Sequence, residues 1–115
     1  MLLSKEAILA AAQSRTVDVP VPELGGEIRL RTLTGAERDA TFAAVRVADG
    51  RTDMRDYRVR LVAACAVDAD GRALLTVEEA GQLDDLAAPA MLRLYQAAQR
   101  LNGLLPDAVE AAEGN

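Results

Sequence analysis

Histidine and tryptophan are absent from this chain of 115 residues, and cysteine occurs once, as Cys65. A single cysteine excludes an intramolecular disulfide and any metal site that needs several cysteines. Without histidine the commonest general base is missing, and no serine lies in the glycine-flanked motif of a nucleophile elbow. Because no nucleophile, base and orienting group occur together, we expect a protein that is not an enzyme, with no catalytic, metal-binding or cofactor-binding residues.

Positive charge is also scarce, since 13 lysine and arginine residues face 18 aspartate and glutamate residues and the net charge is −5. Nucleic-acid binding needs concentrated basic side chains to neutralise phosphates, so we expect no nucleic-acid partner. The N-terminus lacks the basic leader of a signal peptide. No segment approaches the roughly 18 apolar residues of a membrane span. We therefore expect a cytoplasmic protein without a membrane partner.

Aromatic residues make up only 3% of the chain, although hydrophobic residues reach 50%. Alanine supplies much of that hydrophobic fraction, and each alanine buries little area. We therefore expect helices that approach closely and a domain of modest stability. Cys65 lies in the apolar run LVAACAV, where we expect it to be a small buried hydrophobic residue.

The clearest structural signal lies in residues 16–31. Val17, Val19 and Val21 alternate with polar residues or proline, and the alternation resumes at Ile28 and Leu30 after a Gly-Gly pair. This pattern predicts a half-buried β-hairpin that turns at the two glycines.

The composition of the hairpin also predicts how its strands are placed. Pro20 and Pro22 each remove a backbone donor, so the first strand is expected to be an edge strand or to end near Val21. Asp18 and Arg29 are expected to pair across the two strands.

Capping residues and apolar spacing predict the helices. Ser4 is a candidate N-cap, and Thr34-Gly-Ala-Glu37 and Thr76-Val-Glu-Glu79 are capping boxes. The predicted helices span residues 5–13, 35–47, 54–66, 77–83 and 87–102. Their apolar positions at helical spacing are Ile8, Leu9 and Ala12; Ala36, Ala40, Ala43, Ala44 and Val47; Tyr57, Leu61, Ala64 and Cys65; and Met91, Leu94, Ala98 and Leu101.

Two connecting segments complete the outline. Residues 48–53 are expected to form a mobile loop, and a second, shorter hairpin is expected around the turn at residues 68–71. The sequence therefore predicts an α+β fold, a mostly helical single domain with an N-terminal β-hairpin and a second short hairpin.

Acidic residues raise two functional possibilities, and both are disfavoured. In a calcium loop with Gly71 at the sixth position, Ala66 and Val77 would occupy the first and twelfth positions, where oxygen ligands are required. The cluster of Glu78, Glu79, Asp84 and Asp85 is expected near helix N-termini, in solvated or capping roles.

The C-terminal tail offers a surface for a protein partner. Leu104, Leu105 and Val109 follow the Asn-Gly end of the last predicted helix, close to Leu101. Two interpretations stay open, in which the tail folds back over the core or docks onto a partner.

The chain resembles the small tail assembly chaperones of long-tailed, siphovirus-type bacteriophages and of prophage-derived elements. The similar stretches occur in the order that this family shows. They are MLLSKEAILAA, VDVPVPELGGEIRLRTLTGAERD, RLVAACAVDADGRALLTVEEAGQL and RLYQAAQRLNGL. Leu24 and Leu75 depart from the family pattern, which favours aromatic residues there.

The resemblance implies a non-enzymatic role in virion assembly. Proteins of this family bind the tape measure protein, keep it soluble and help to recruit tail tube subunits in the host cytoplasm, and they are not expected in the mature particle. On this basis residues 1–103 form the chaperone-like domain and residues 104–115 a C-terminal tail. The expected partner-binding residues are Leu101, Leu104, Leu105 and Val109, and self-association is a further expectation.

Two other functions remain open. One is a structural protein of the virion, either a head–tail connector or a tail completion subunit. The other is an acidic regulatory module that masks a basic partner.

Overall fold

The computed structural model describes residues 1–104 and has the α+β fold expected from the sequence. The helices are α1 (Lys5–Ala11), α2 (Gly35–Ala44), α3 (Met54–Cys65), α4 (Val77–Leu86) and α5 (Ala88–Leu101). The strands are β1 (Thr16–Val21), β2 (Gly26–Arg31), β3 (Val47–Ala48), β4 (Arg51–Thr52) and β5 (Ala66–Val67). The predicted partner-binding residues Leu105 and Val109 lie outside the described residues.

Strands β1, β2 and β5 form an antiparallel sheet in that order, so β1 is an edge strand as its prolines predict. A short 3-10 helix, Pro22–Leu24, followed by Gly25 in the left-handed region at φ 77°, closes the hairpin. The prediction of a turn at both glycines was therefore partly wrong, because Gly26 already pairs with Val21.

The core lies where α5 packs against the sheet, α3 and α4. Met91, Leu94 and Ala98 of the predicted α5 stripe are fully buried, and Leu101 is half-buried at the margin. On α3, Leu61 and Cys65 are buried as predicted, whereas Tyr57 and Ala64 are only half-buried. The other buried α3 residues, which the predicted stripe omitted, are Val59, Val62 and Ala63.

Helix α2 begins at its predicted capping box but ends at Ala44, three residues early. The chain then forms the β3–β4 hairpin, whose turn residues Asp49 and Gly50 have φ values of 54° and 73°. Positive φ at both positions is typical of a two-residue type I′ turn, for which Asp-Gly is a preferred pair. The connector predicted at residues 48–53 is therefore a tight hairpin turn flanked by two short strands, and its mobility stays a prediction.

Helix α2 has no buried residue, and its predicted alanine stripe is exposed to solvent. Polar and aromatic contacts attach it instead. Arg31 of β2 donates two hydrogen bonds to Glu37, of 2.8 and 2.7 Å. Phe42 stacks on Tyr57 of α3 with ring centroids 5.4 Å apart. The helix is thus an outer layer on the core.

The predicted second hairpin is reduced to one bridge between Val67 and Ala73, while β5 joins the main sheet. Asp68 Oδ1 accepts hydrogen bonds from the N–H groups of Asp70 and Arg72, so this carboxylate stabilises an ordinary turn. A longer strand does not form here, because β5 has only two residues before the turn begins.

The prediction that the acidic cluster lies near helix N-termini holds for Glu78 and Glu79, which lie in the first turn of α4, where the Glu79 side chain completes the capping box. It was wrong for Asp84 and Asp85, because α4 continues to Leu86 and places both residues near its C-terminal end. Asp84 accepts hydrogen bonds from Arg55 and Arg58 of α3, and Asp85 accepts one from Arg55. These carboxylates thus join two helices.

Asn102 connects the end of α5 to the segment that enters α2. Its Oδ1 accepts the N–H of Leu33 at 2.8 Å, and its Nδ2 donates to the carbonyl of Ala98 at 2.9 Å. Nδ2 also lies 3.5 Å from the Sγ of Cys65. The side-chain amide therefore satisfies groups from separate parts of the chain.

We predict that Asn102→Ala lowers the free energy of unfolding by about 1–3 kcal/mol, because the Leu33 N–H loses its partner in a partly buried position. Urea titration followed by far-ultraviolet circular dichroism measures this change. The control is Gln96→Ala on the exposed side of α5, which is expected to cost less than about 0.5 kcal/mol. Equal effects of the two substitutions would contradict the role of Asn102.

We also predict an acid-sensitive contribution from Glu37. The hydrogen bonds from Arg31, aided by the Thr34 backbone, lower the pKa of Glu37 from 4.5 to about 2. Because the pKa is lower in the folded state, this contact stabilises the protein above pH 4.5 and is lost as the pH falls towards 2.

The stability difference between the native protein and Glu37→Gln is therefore expected to shrink over that acidic range. Urea midpoints across the range measure it, with Glu27→Gln on the exposed hairpin as the control. A difference independent of pH would show that charge at Glu37 contributes nothing.

Candidate partner-binding surface

The interior of the described part of the chain is apolar. Within residues 1–104, no polar or charged residue is buried and no group of three His, Cys, Asp or Glu residues could hold a metal ion. No helix among these residues is both long enough and apolar enough to span a membrane. The features that call for explanation are apolar and lie at the surface.

Cys65 is confirmed as a small buried hydrophobic residue, with no exposed surface. Burial raises the pKa of its thiol to about 11. A thiol with a raised pKa stays protonated at neutral pH, as expected of a buried cysteine in apolar surroundings.

The first exposed apolar feature is the N-terminal apolar segment, which we define as residues 1–12. Ser4 caps α1 as predicted, since its side chain accepts the N–H of Ala7, but α1 ends at Ala11 and has no buried residue. The larger apolar side chains keep much of their surface exposed: Met1, Leu2, Leu3, Ile8 and Leu9. This segment therefore adds apolar surface without adding to the core.

The second feature is an open groove of about 350 Å³ between β1 and α5. We call it the β1–α5 groove, and its walls are Val17, Asp18, Val19, Pro20, Ala97, Arg100 and Leu101. Val21, Val19 and Val17 point to the same side of β1. Their exposed fractions rise from 0% to 7% and then 40% along the strand. The more exposed end of this side of β1, at Val17, thus forms the floor of the groove.

Charged side chains border this apolar floor. Asp18 forms an ion pair with Arg29 at 2.7 Å, as the hairpin register predicted, and Glu23 forms one with Arg93 at 2.7 Å. The neighbouring guanidinium groups lower the pKa values of Asp18 and Glu23. Arg100 is exposed and has no carboxylate within ion-pair distance among residues 1–104. The uncompensated charge at the border is therefore positive.

The structure places the predicted partner-binding residues in different settings. Leu101 lines the β1–α5 groove, whereas Leu104 packs against the core and its N–H donates to the carbonyl of Gln99. Leu105 and Val109 lie outside the described residues. Sequence reasoning did not assign Val17 or Ala97 to a surface for partners. The edge position of β1 was the available signal for Val17.

Comparison with solved structures found a similar fold. The structure resembles that of the bacteriophage HK97 tail assembly chaperone, with a TM-score of 0.57 over 85% of this chain and 98% of that chain. The sequence identity is 24%, so the similarity establishes a shared fold. No protein-family model matches this sequence, and no curated protein matches it either.

We predict that removing residues 1–12 changes the free energy of unfolding by less than about 0.5 kcal/mol, because no residue of α1 is buried. The matched core substitution Leu94→Ala is expected to cost about 2–5 kcal/mol. Urea titration followed by circular dichroism compares the two variants. A loss above about 1 kcal/mol in the shortened chain would show that the N-terminal apolar segment packs on the domain.

Proposed function

We propose that this protein is a non-enzymatic tail assembly chaperone that binds a tape measure protein and keeps it soluble before assembly. The observation that carries the proposal is the fold shared with the HK97 tail assembly chaperone, which extends over 98% of that chain. Recruitment of tail tube subunits, action in the host cytoplasm and absence from the mature particle belong to the same proposal.

A physical mechanism follows from the two kinds of surface on this molecule. The N-terminal apolar segment and the β1–α5 groove offer apolar contacts, which are favourable because they remove apolar surface of both partners from water. The chain has a net charge of −5, so complexes coated with it carry charge of the same sign and repel one another. Apolar contact thus masks the client while charge limits association of the masked particles.

A structural protein of the virion is the second candidate function. Exposed apolar surface also serves a subunit that is built permanently into a particle. The two candidates differ in stoichiometry, because a connector or completion subunit stays in purified particles and a chaperone does not.

Co-expression tests the proposal. The probe is the longest protein of coiled-coil type encoded beside this chain, produced with and without it, and its soluble fraction is measured after lysis. We expect the chain to raise that soluble fraction several-fold and to co-purify with the client. The matched control is Leu94→Ala, which damages the core while leaving the surface residues unchanged.

Two results would contradict the proposal. One is a client that stays insoluble although this chain is folded. The other is recovery of this chain in purified particles at the stoichiometry of a structural subunit, which would favour a connector or completion protein.

A further inference from the structure

The β1–α5 groove continues along α5 beyond its first cavity. An adjoining groove of about 360 Å³ shares Val19, Pro20, Ala97 and Arg100 with it and extends to Pro22, Arg93 and Gln96. Residues 93, 96, 97 and 100 follow one side of a helix and span about 10 Å at 1.5 Å per residue. A trough that follows the side of a helix suits a second helix, because helices pack their ridges into such grooves.

The backbone at the outer edge of β1 disfavours an added strand. The N–H of Thr32 donates to the carbonyl of Arg15, next to the pair Thr16–Arg31 in the hairpin register. Because hydrogen-bonded and non-hydrogen-bonded pairs alternate, the backbone groups of Thr16, Asp18 and Pro20 point to the open edge. Proline has no N–H, so this edge offers only two donors before Pro22 ends the strand.

Local charge indicates the chemistry of the occupant. The acidic groups beside the trough, Asp18 and Glu23, are each paired with an arginine. Arg100 has no such partner within residues 1–104 and lies beside Ala97 and Leu101. A carboxylate on the occupant would therefore meet an available guanidinium, which binds carboxylates through paired hydrogen bonds.

We propose that the β1–α5 groove receives an amphipathic helix of the client, with its apolar side on Val17, Ala97 and Leu101 and a carboxylate beside Arg100. This inference rests on the proposed chaperone function and assigns that function to one surface. In this arrangement the half-buried Leu101 contacts the client at the edge of the core. Helix α5 and the client helix then pack against each other along the trough.

Site-specific photo-cross-linking in the co-expressed complex tests the groove. The reporter is Val17→Bpa, where Bpa is p-benzoylphenylalanine, and the matched control is Val47→Bpa. Both positions are exposed valines in hairpin strands, at 40% and 68%, but Val47 does not line the trough. We expect Val17→Bpa to cross-link to a helical client segment with Asp or Glu within one turn, and Val47→Bpa to give little product.

The possible outcomes test the proposed binding groove and the proposed chaperone function separately. A solubilised client that cross-links only from Val47, or from neither position, overturns the groove and leaves the chaperone function standing. Cross-links from Val17 to a second copy, or to residues 105–115 of the same chain, overturn it by identifying another occupant. A client that is never solubilised overturns the function and this inference with it.

Charge substitution at Arg100 tests the carboxylate separately. Arg100→Glu is expected to weaken the purified complex about tenfold at about 0.1 M salt, and by less at high salt, where a charged contact at the border is screened. Arg100→Lys keeps the charge and is expected to retain most of the affinity. Unchanged affinity of Arg100→Glu would overturn the acidic character of the occupant.

Discussion

The packing of α5 against the sheet, α3 and α4 is the contact on which the rest of this structure depends. Met91, Leu94 and Ala98 lie fully buried in it, in the same core cluster as Leu30 of the sheet and Leu61 of α3. The chain is poor in aromatic residues, so the apolar area that this packing removes from water belongs largely to aliphatic side chains. Outside this packing, the Arg31–Glu37 pair and the Phe42–Tyr57 stack attach α2. The Asn102 amide ties the entry of α2 to the end of α5.

Local chemistry in the sequence was sufficient to predict the starts of most elements. Thr34 and Thr76 each accept the N–H three residues later, so their capping boxes depend on short stretches of chain and are readable in advance. The hairpin with its Asp18–Arg29 pair is equally local. Helix ends were harder because packing decides them. Helix α2 ends at Ala44, before the short hairpin that turns at Asp49-Gly50. The ion pairs of Asp84 lie on a last turn of α4 that the sequence did not predict.

The candidate site depends even more on contacts between distant parts of the chain, which local sequence patterns do not report. Val17 and Ala97 are 80 positions apart in the chain, and only the docking of α5 on the hairpin brings them to one groove. Sequence reasoning selected apolar residues near the C-terminus and reached Leu101, but it could not indicate that the opposite wall comes from β1. It also treated the apolar positions of α1 and α2 as helix faces of the usual kind, although both helices lack buried residues. Periodicity reports which side of a helix is apolar and does not report whether anything covers that side.

The placement of the aromatic rings has a consequence for spectroscopy. The chain contains one phenylalanine, two tyrosines and no tryptophan, and all three rings form one chain of contacts, from Phe42 to Tyr57 and on to Tyr95. Near-ultraviolet absorption and tyrosine emission therefore originate from the junction of α2, α3 and α5 alone. Detachment of α2 would change these signals before the core opens, whereas the N-terminal apolar segment and the β1–α5 groove contain no chromophore of their own. A tryptophan on a bound protein could thus be excited at long wavelength almost without background from this chain.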